Sequence, residues 1–182
     1  WLQQLQTALR ENRFELHTQP VIATAGRGSS GPAFEVLLRM TDEDGKLVLP
    51  RQFIPAAERY QLMSGIDRWV VQATLAALAH GVIRLPDDRS CSINLSGQSL
   101  ADEGFLEFVV ECLDHSQIAP DRICFEIGET AVMDRFDQAR RFIGVLHGMG
   151  CQFGLDDFGS GFGSFTTLRD LSIDYLKIDG SY

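Results

Sequence analysis

The chain has 182 residues, 45% of them apolar and 23% charged, an ordinary globular composition long enough to bury the core of one domain. Sixteen basic residues against 25 acidic ones give a formal charge of −9, and affinity for a phosphate backbone comes from clustered Lys and Arg, so long DNA or RNA is excluded as a partner. No stretch reaches the roughly 18 apolar residues of a membrane span and no signal-peptide pattern opens the chain, so no membrane insertion and a cytoplasmic location are expected, free or as part of a membrane-anchored protein.

Positions 1–12 have helical spacing, with Leu2, Leu5 and Leu9 on one side, and 14–22 reads as a strand ending near Gln19-Pro20. The Gly- and Ser-rich run 26–32 predicts a flexible connection, 33–40 a second strand, and Asp44-Gly45 a turn. Positions 53–59 and 66–80 predict helices, the second closed by Gly81. From there the pattern is regular: strand 90–95, helix 103–115, strand 122–127, helix 134–149, strand 151–155, a short helix 164–169 and a last strand 175–178. Such alternation requires a mostly parallel sheet with right-handed crossovers, and its strands read as apolar runs buried on both faces. Cys91, Cys112, Cys124 and Cys151 form no C-x-x-C pair and read as reduced core residues; His17, His80, His115 and His147 lack metal spacing. About six strands are expected, whereas a closed barrel needs eight βα units and typically about 250 residues. The α/β sheet is therefore either open or a barrel lacking its last two units.

The strand ends carry the chemistry: Glu35, Asn94, Glu126, Asp156 with Asp157, and Lys177 with Asp179. Asn94, Glu126 and Asp156 fall about one βα unit apart, which places them on one rim of the fold. Carboxylates and an amide oxygen are hard ligands suited to Mg²⁺ or Mn²⁺, and two such ions about 3.5–4 Å apart form the usual clamp for in-line phosphodiester hydrolysis. Lys177 could orient an attacking water or stabilise developing negative charge, and Arg39, on the same strand face as Glu35, could grip a phosphate. Each residue alone has a plainer reading. Asp157 and Ser160 suit a turn or cap, Asn94-Leu95-Ser96 a capping turn, and Glu35 with Arg39 an edge ion pair. The joint pattern over five strands is harder to assign to chance. Gly159, Gly161 and Gly163 do not have phosphate-loop spacing, and Asp157-Phe158-Gly159 lacks the H-R-D loop and V-A-I-K strand that a kinase needs.

Five ordered segments also resemble a known family. Glu35-Val36-Leu37-Leu38-Arg39 resembles E-A-L-L-R with Val for Ala, Ser92-Ile93-Asn94-Leu95-Ser96 resembles V-N-L-S, and Glu126-Ile127-Gly128-Glu129 resembles E-I-T-E. Leu155-Asp156-Asp157-Phe158-Gly159-Ser160-Gly161 resembles L-D-D-F-G-T-G, and Leu176-Lys177-Ile178-Asp179 resembles L-K-I-D. These are signatures of the EAL-type cyclic di-GMP phosphodiesterase domains.

The resemblance implies one domain over 1–182, a TIM-like (β/α)8 barrel of the EAL type with its first strand antiparallel and its last two βα units missing from this chain. It implies hydrolysis of cyclic di-GMP to linear pGpG in bacterial second-messenger signalling, through a two-metal site of Mg²⁺ or Mn²⁺. Glu35, Asn94, Glu126, Asp156 and Asp157 would hold metal, and Lys177 would hold the nucleophilic water, with Glu35 and Asp157 also catalytic. Gln19, Arg39 and Asp179 would contact substrate, and Phe158, Gly159, Ser160 and Gly161 would open a loop serving activation and dimerisation. A homodimer and a fused GGDEF or sensor domain upstream are implied partners.

Gly128 for Thr, Gly163 and Phe165 depart from the pattern, and the family's later E-G-V-E glutamate and Q-G motif have no counterpart up to Tyr182. The chain alone is thus expected to be inactive and the natural protein to continue for roughly 60 to 70 residues. The alternatives are a cyclic di-GMP receptor without catalysis, which would usually lose a metal ligand, and an enolase-like barrel, which would leave Arg39 and the Asp156-Asp157 pair unexplained.

Overall fold

A computed structural model describes residues 1–22, 31–159 and 169–178. Residues 26–30 of the connection expected at 26–32, most of the helix expected at 164–169, and Ser160, Gly161 and Asp179 lie outside the described residues. Helix α1 (Leu2–Arg10) leads into β1 (Phe14–Pro20), which pairs antiparallel with β2 (Pro32–Thr41); β3 (Leu47–Val48) adds a short antiparallel edge to β2. Helices α2 (Pro50–Arg59) and α3 (Met63–Ala79) then carry the chain to β4 (Ser90–Leu95). Next come α4 (Gly97–Ala101), α5 (Phe105–Ser116), β5 (Ile123–Gly128), α6 (Glu129–Asp134), α7 (Phe136–Met149), β6 (Gln152–Phe158) and β7 (Tyr175–Ile178). The sheet order is β1-β2-β4-β5-β6-β7, and every neighbouring pair from β2 onward is parallel.

The expected elements are present, with three corrections. The helix expected at 103–115 is α5, but an extra short helix, α4, stands before it: Ser96 caps α4 by accepting the Ser99 N–H, and a break at Asp102 separates the two. Likewise α6 stands before α7. Both extra helices are single short turns directly after a strand, with too few apolar positions to show a period. Strand β6 also runs past Leu155 to Phe158, through a register shift against β7 between those two residues.

The third correction concerns the strand faces. They are not apolar on both sides; they alternate. Cys91, Ile93 and Leu95 of β4, Ile123, Phe125 and Ile127 of β5, and Phe153 and Leu155 of β6 are buried in the helix-covered core. There Phe142 of α7 meets Phe125 and Phe153 edge-on at 6.2 Å and stacks on Phe105 of α5 at 5.9 Å. Gly150, at φ 111°, ends α7 in the left-handed conformation that a residue with a Cβ resists. The other strand face is polar: Ser90 donates to Gln152 across β5 at 2.8 Å, and Ser92, Cys124, Glu126 and Tyr175 occupy neighbouring register positions. Both faces are buried, as expected, but the inner one carries polar side chains. Cys91, Cys124 and Cys151 are buried and reduced, as expected, and burial pushes each thiol up to about 12.

Candidate active site

Parallel pairing from β2 to β7 brings side chains from five strands to one end of the sheet, because every one of these strands runs the same way. Lys177 of β7 is the centre. Its Nζ donates to Glu126 Oε2 at 2.7 Å and Glu35 Oε2 at 3.1 Å, and lies 3.6 Å from Asp156 Oδ2. Asn94 Nδ2 donates to Glu35 Oε1 at 2.6 Å. Four sequence-predicted residues, Glu35, Asn94, Glu126 and Asp156, are thus gathered around a fifth, and Glu35 pairs with Lys177 instead of the neighbouring Arg39.

Burial sets the electrostatics. The Glu126 side chain is 2% exposed, and the Lys177 side chain 34%. Burial alone would lower the Lys177 pKa, but the hydrogen bond and charge of Glu126, followed by those of Glu35, raise it above the ordinary lysine value. Lys177 therefore stays an ammonium, which can donate hydrogen bonds and positive charge but cannot take a proton from water. Tyr175, two residues earlier on the same face, donates its hydroxyl to Glu126 Oε1 at 2.6 Å and accepts from the Cys124 thiol at 3.3 Å. Burial first, then Cys124 and Glu126, push the phenol well above its ordinary range and keep it protonated.

The Asp156-Asp157 pair sits in the irregular stretch of β6. Asp157 has φ 53°, and its N–H donates to Asp156 Oδ1 at 2.8 Å. This breaks the strand alternation, so both adjacent residues line the same cavity. Gln19 lies opposite Glu35 in the β1–β2 register and is exposed; Arg39 stands four residues further along β2, where Nη1 donates to the Leu38 carbonyl. Neither touches the Lys177 cluster through a hydrogen bond among the described residues. Phe158 ends β6, and the Gly159 N–H donates to Glu129 Oε2 at 3.0 Å. A Cβ on Gly128 would meet nothing within 4 Å, so the departure from Thr leaves open space at the cavity wall.

The cavity holds about 420 Å³, within the range of small-ligand sites. Asn94, Glu126 and Asp156 form its polar part; Ile54, Met63 and Ile66 form an apolar wall. Asp67 joins that wall from α3, with Oδ2 accepting from the Ser96 N–H at 2.8 Å and the Ser99 hydroxyl at 2.6 Å. Burial pushes the Asp67 carboxyl up, against the pull of those hydrogen bonds. Sequence reasoning assigned no role to Asp67, Tyr175 or the buried Glu129. A single Asp inside a helical pattern carries no signal of its own, whereas Tyr175 and Glu129 stood within or beside the quoted motifs.

The donor set fits a hard divalent cation, since Glu35, Asn94, Glu126 and Asp156 all offer oxygen. Among the described residues no three acidic, His or Cys side chains converge as a ligand cage; Lys177 stands between the carboxylates. Three carboxylates drawn around one ammonium are a cradle for positive charge. The histidines stay outside it: His80 and His115 donate Nδ1–H to Ala76 and Glu111 carbonyls, and His17 and His147 lie near Glu15 and Asp174.

The sequence profile of the EAL domain matches residues 2–182. The chain belongs to the EAL domain family. It is 39% identical over its whole length to cyclic di-GMP phosphodiesterase PdeB of Shewanella oneidensis and 36% identical to cyclic di-GMP phosphodiesterase PdeF of Escherichia coli. It spans only 21% and 24% of those two proteins. Among solved structures, the FimX EAL domain of Pseudomonas aeruginosa bound to c-di-GMP superposes with a TM-score of 0.86 at 33% identity, over 97% of this chain and 70% of that one. The PaMucR phosphodiesterase in complex with c-di-GMP gives 0.86 at 31% identity, over 98% and 71%. The fold is thus the EAL form of a TIM-like barrel, of which this chain supplies the part from the antiparallel first strand through β7. No helix among the described residues is long and apolar enough to cross a membrane.

Proposed function

We propose that this EAL domain hydrolyses cyclic di-GMP to linear pGpG with Mg²⁺ or Mn²⁺. The observation that carries the reading is the Lys177 ammonium, which is ringed by Glu35, Glu126 and Asp156, the last two of which also line a cavity of about 420 Å³. The phosphodiesterase names of the relatives and the c-di-GMP held by related EAL domains support it.

Glu35, Asn94, Glu126 and Asp156 would hold a first cation and Asp157 a second. Bound cations would neutralise the phosphodiester charge and make water more acidic. Lys177 would position the attacking water and, as an ammonium, stabilise negative charge developing on phosphorus-bound oxygens. Arg39 at the rim would grip a phosphate, with Gln19 and Asp179 as further ligand contacts. Asp67, a carboxylate on the apolar wall, would accept N–H donors from a guanine edge. Phe158 and Gly159 would open the activation and dimerisation loop. The small share of each relative's length that this chain covers supports its being one module beside others, such as a GGDEF or sensor domain, in a cytoplasmic homodimer.

The test is incubation of the full-length protein with cyclic di-GMP in Mg²⁺, Mn²⁺ or chelator, read by chromatography. Metal-dependent pGpG is the expected product. Ligand that binds and survives intact overturns the enzyme and leaves a receptor.

A further inference from the structure

The inner face of the sheet contains a hydrogen-bonded row of which two members, Cys124 and Tyr175, are not used by the phosphodiesterase reading. The Cys124 thiol donates to the Tyr175 hydroxyl, which donates to Glu126 Oε1, while Glu126 Oε2 takes the Lys177 ammonium. Both oxygens of Glu126 are therefore assigned, and this carboxylate is almost fully buried. A carboxylate held at one oxygen keeps the other aimed in a fixed direction, which is how partners behind a metal ligand set its geometry and basicity.

We infer that Tyr175 is a positioning residue for the cation cradle: its hydroxyl fixes the rotamer of Glu126, and Cys124 fixes the direction in which that hydroxyl points. The backbone provides for this arrangement. The ring of Tyr175 lies across Gly154 of the neighbouring strand, where a Cβ would come within 2.5–2.8 Å of two ring carbons and the hydroxyl oxygen. With a larger residue at 154 the ring could not lie where its hydroxyl meets Glu126. Tyr175 also shares its strand face with Lys177, so one four-residue strand delivers both the group that orients Glu126 Oε1 and the cation that meets Oε2.

The inference rests on the proposed cation site and deepens it. Its test is Mn²⁺ binding to the full-length protein without nucleotide, measured by calorimetry for wild type, Tyr175→Phe and Cys124→Ala. Tyr175→Phe is expected to bind Mn²⁺ about 10- to 100-fold more weakly, the usual effect of removing a hydrogen-bond partner of a metal ligand. Cys124→Ala, which leaves the phenol in place, should lose about threefold on the same argument and serves as the readout should the Phe variant fold poorly. In turnover, the Phe variant should recover most of its kcat at saturating Mn²⁺ with KM for the dinucleotide unchanged, a pattern that a general loss of folded protein would not give. Mn²⁺ affinities for both variants within twofold of wild type overturn the positioning role while leaving the phosphodiesterase reading intact. Weakened Mn²⁺ binding in a protein that never cleaves cyclic di-GMP keeps the positioning role and overturns the phosphodiesterase. Absence of Mn²⁺ binding by wild type overturns both.

Discussion

Replacing Lys177 with Met keeps the side-chain length and removes an ammonium that stands 2.7, 3.1 and 3.6 Å from oxygens of Glu126, Glu35 and Asp156. Stripping a buried charge of its partner costs roughly 3–5 kcal/mol. Lys177 is 34% exposed, and solvent screening at that end lowers the expectation to about 2–3 kcal/mol. An independent limit comes from protonation. A glutamate without its cation can bind a proton instead, at about 1.4 kcal/mol per pH unit above an ordinary value near 4.3, which sets a ceiling of about 3.7 kcal/mol at pH 7. The ceiling falls to about 1.6 kcal/mol at pH 5.5 by the same arithmetic. Wild-type Lys177 does not titrate in this window: its pKa is raised, so its contribution is complete below the ordinary lysine value and is lost only as pH rises through the folded one. The assay is urea unfolding in chelator at pH 7 and 5.5, then with Mg²⁺. Lys177→Met should lose about 2–3 kcal/mol at pH 7 and less at pH 5.5, and Mg²⁺ at a hundred times its Kd should return about 2.7 kcal/mol. Wild-type stability in chelator at pH 7, or a penalty that does not shrink with acid, would refute the cradle.

Glu35→Ala and Asp156→Ala should each abolish metal-dependent turnover while leaving far-UV circular dichroism unchanged; activity retained in both would remove these carboxylates from the site. Gly154→Ala should destabilise the domain by about 1–3 kcal/mol in a urea titration, because its methyl enters the Tyr175 ring. Asp102 accepts from the Ser64 hydroxyl and Arg68, which hold its carboxyl below the usual carboxylate range, so its contribution is present above about pH 4 and lost as pH falls through the lowered value. Asp102→Asn should therefore melt below wild type at pH 7, by a margin that narrows as pH falls below 4. Asp67→Ala should raise KM for the dinucleotide more than it lowers kcat, since Asp67 lines the wall away from the Lys177 cluster.

Much of this was legible in one dimension. Strands 90–95 and 175–178 stand where the pattern placed them, because a strand between turn residues is a local feature with clear ends. The ligand-type residues were legible because each interrupts a short apolar run, although Glu35 stands inside β2 and not at its end as expected. What local pattern could not show was partnership. Asp67 looked like any polar residue of a helix, and only the packing of α3 against the turn after β4 gives it Ser96 and Ser99. The two short helices after β4 and β5 escaped because a single turn has no period to detect.

The sequence alone determined the βα order, the family, and which polar side chains interrupt the apolar strands, because these follow from spacing and residue type. The tertiary structure alone decided that Lys177, 142 positions from Glu35, stands between three carboxylates, and that Tyr175 holds the buried one from behind. Those relations depend on parallel register across five strands and on the irregularity at Asp156-Asp157, which no stretch of the chain specifies by itself.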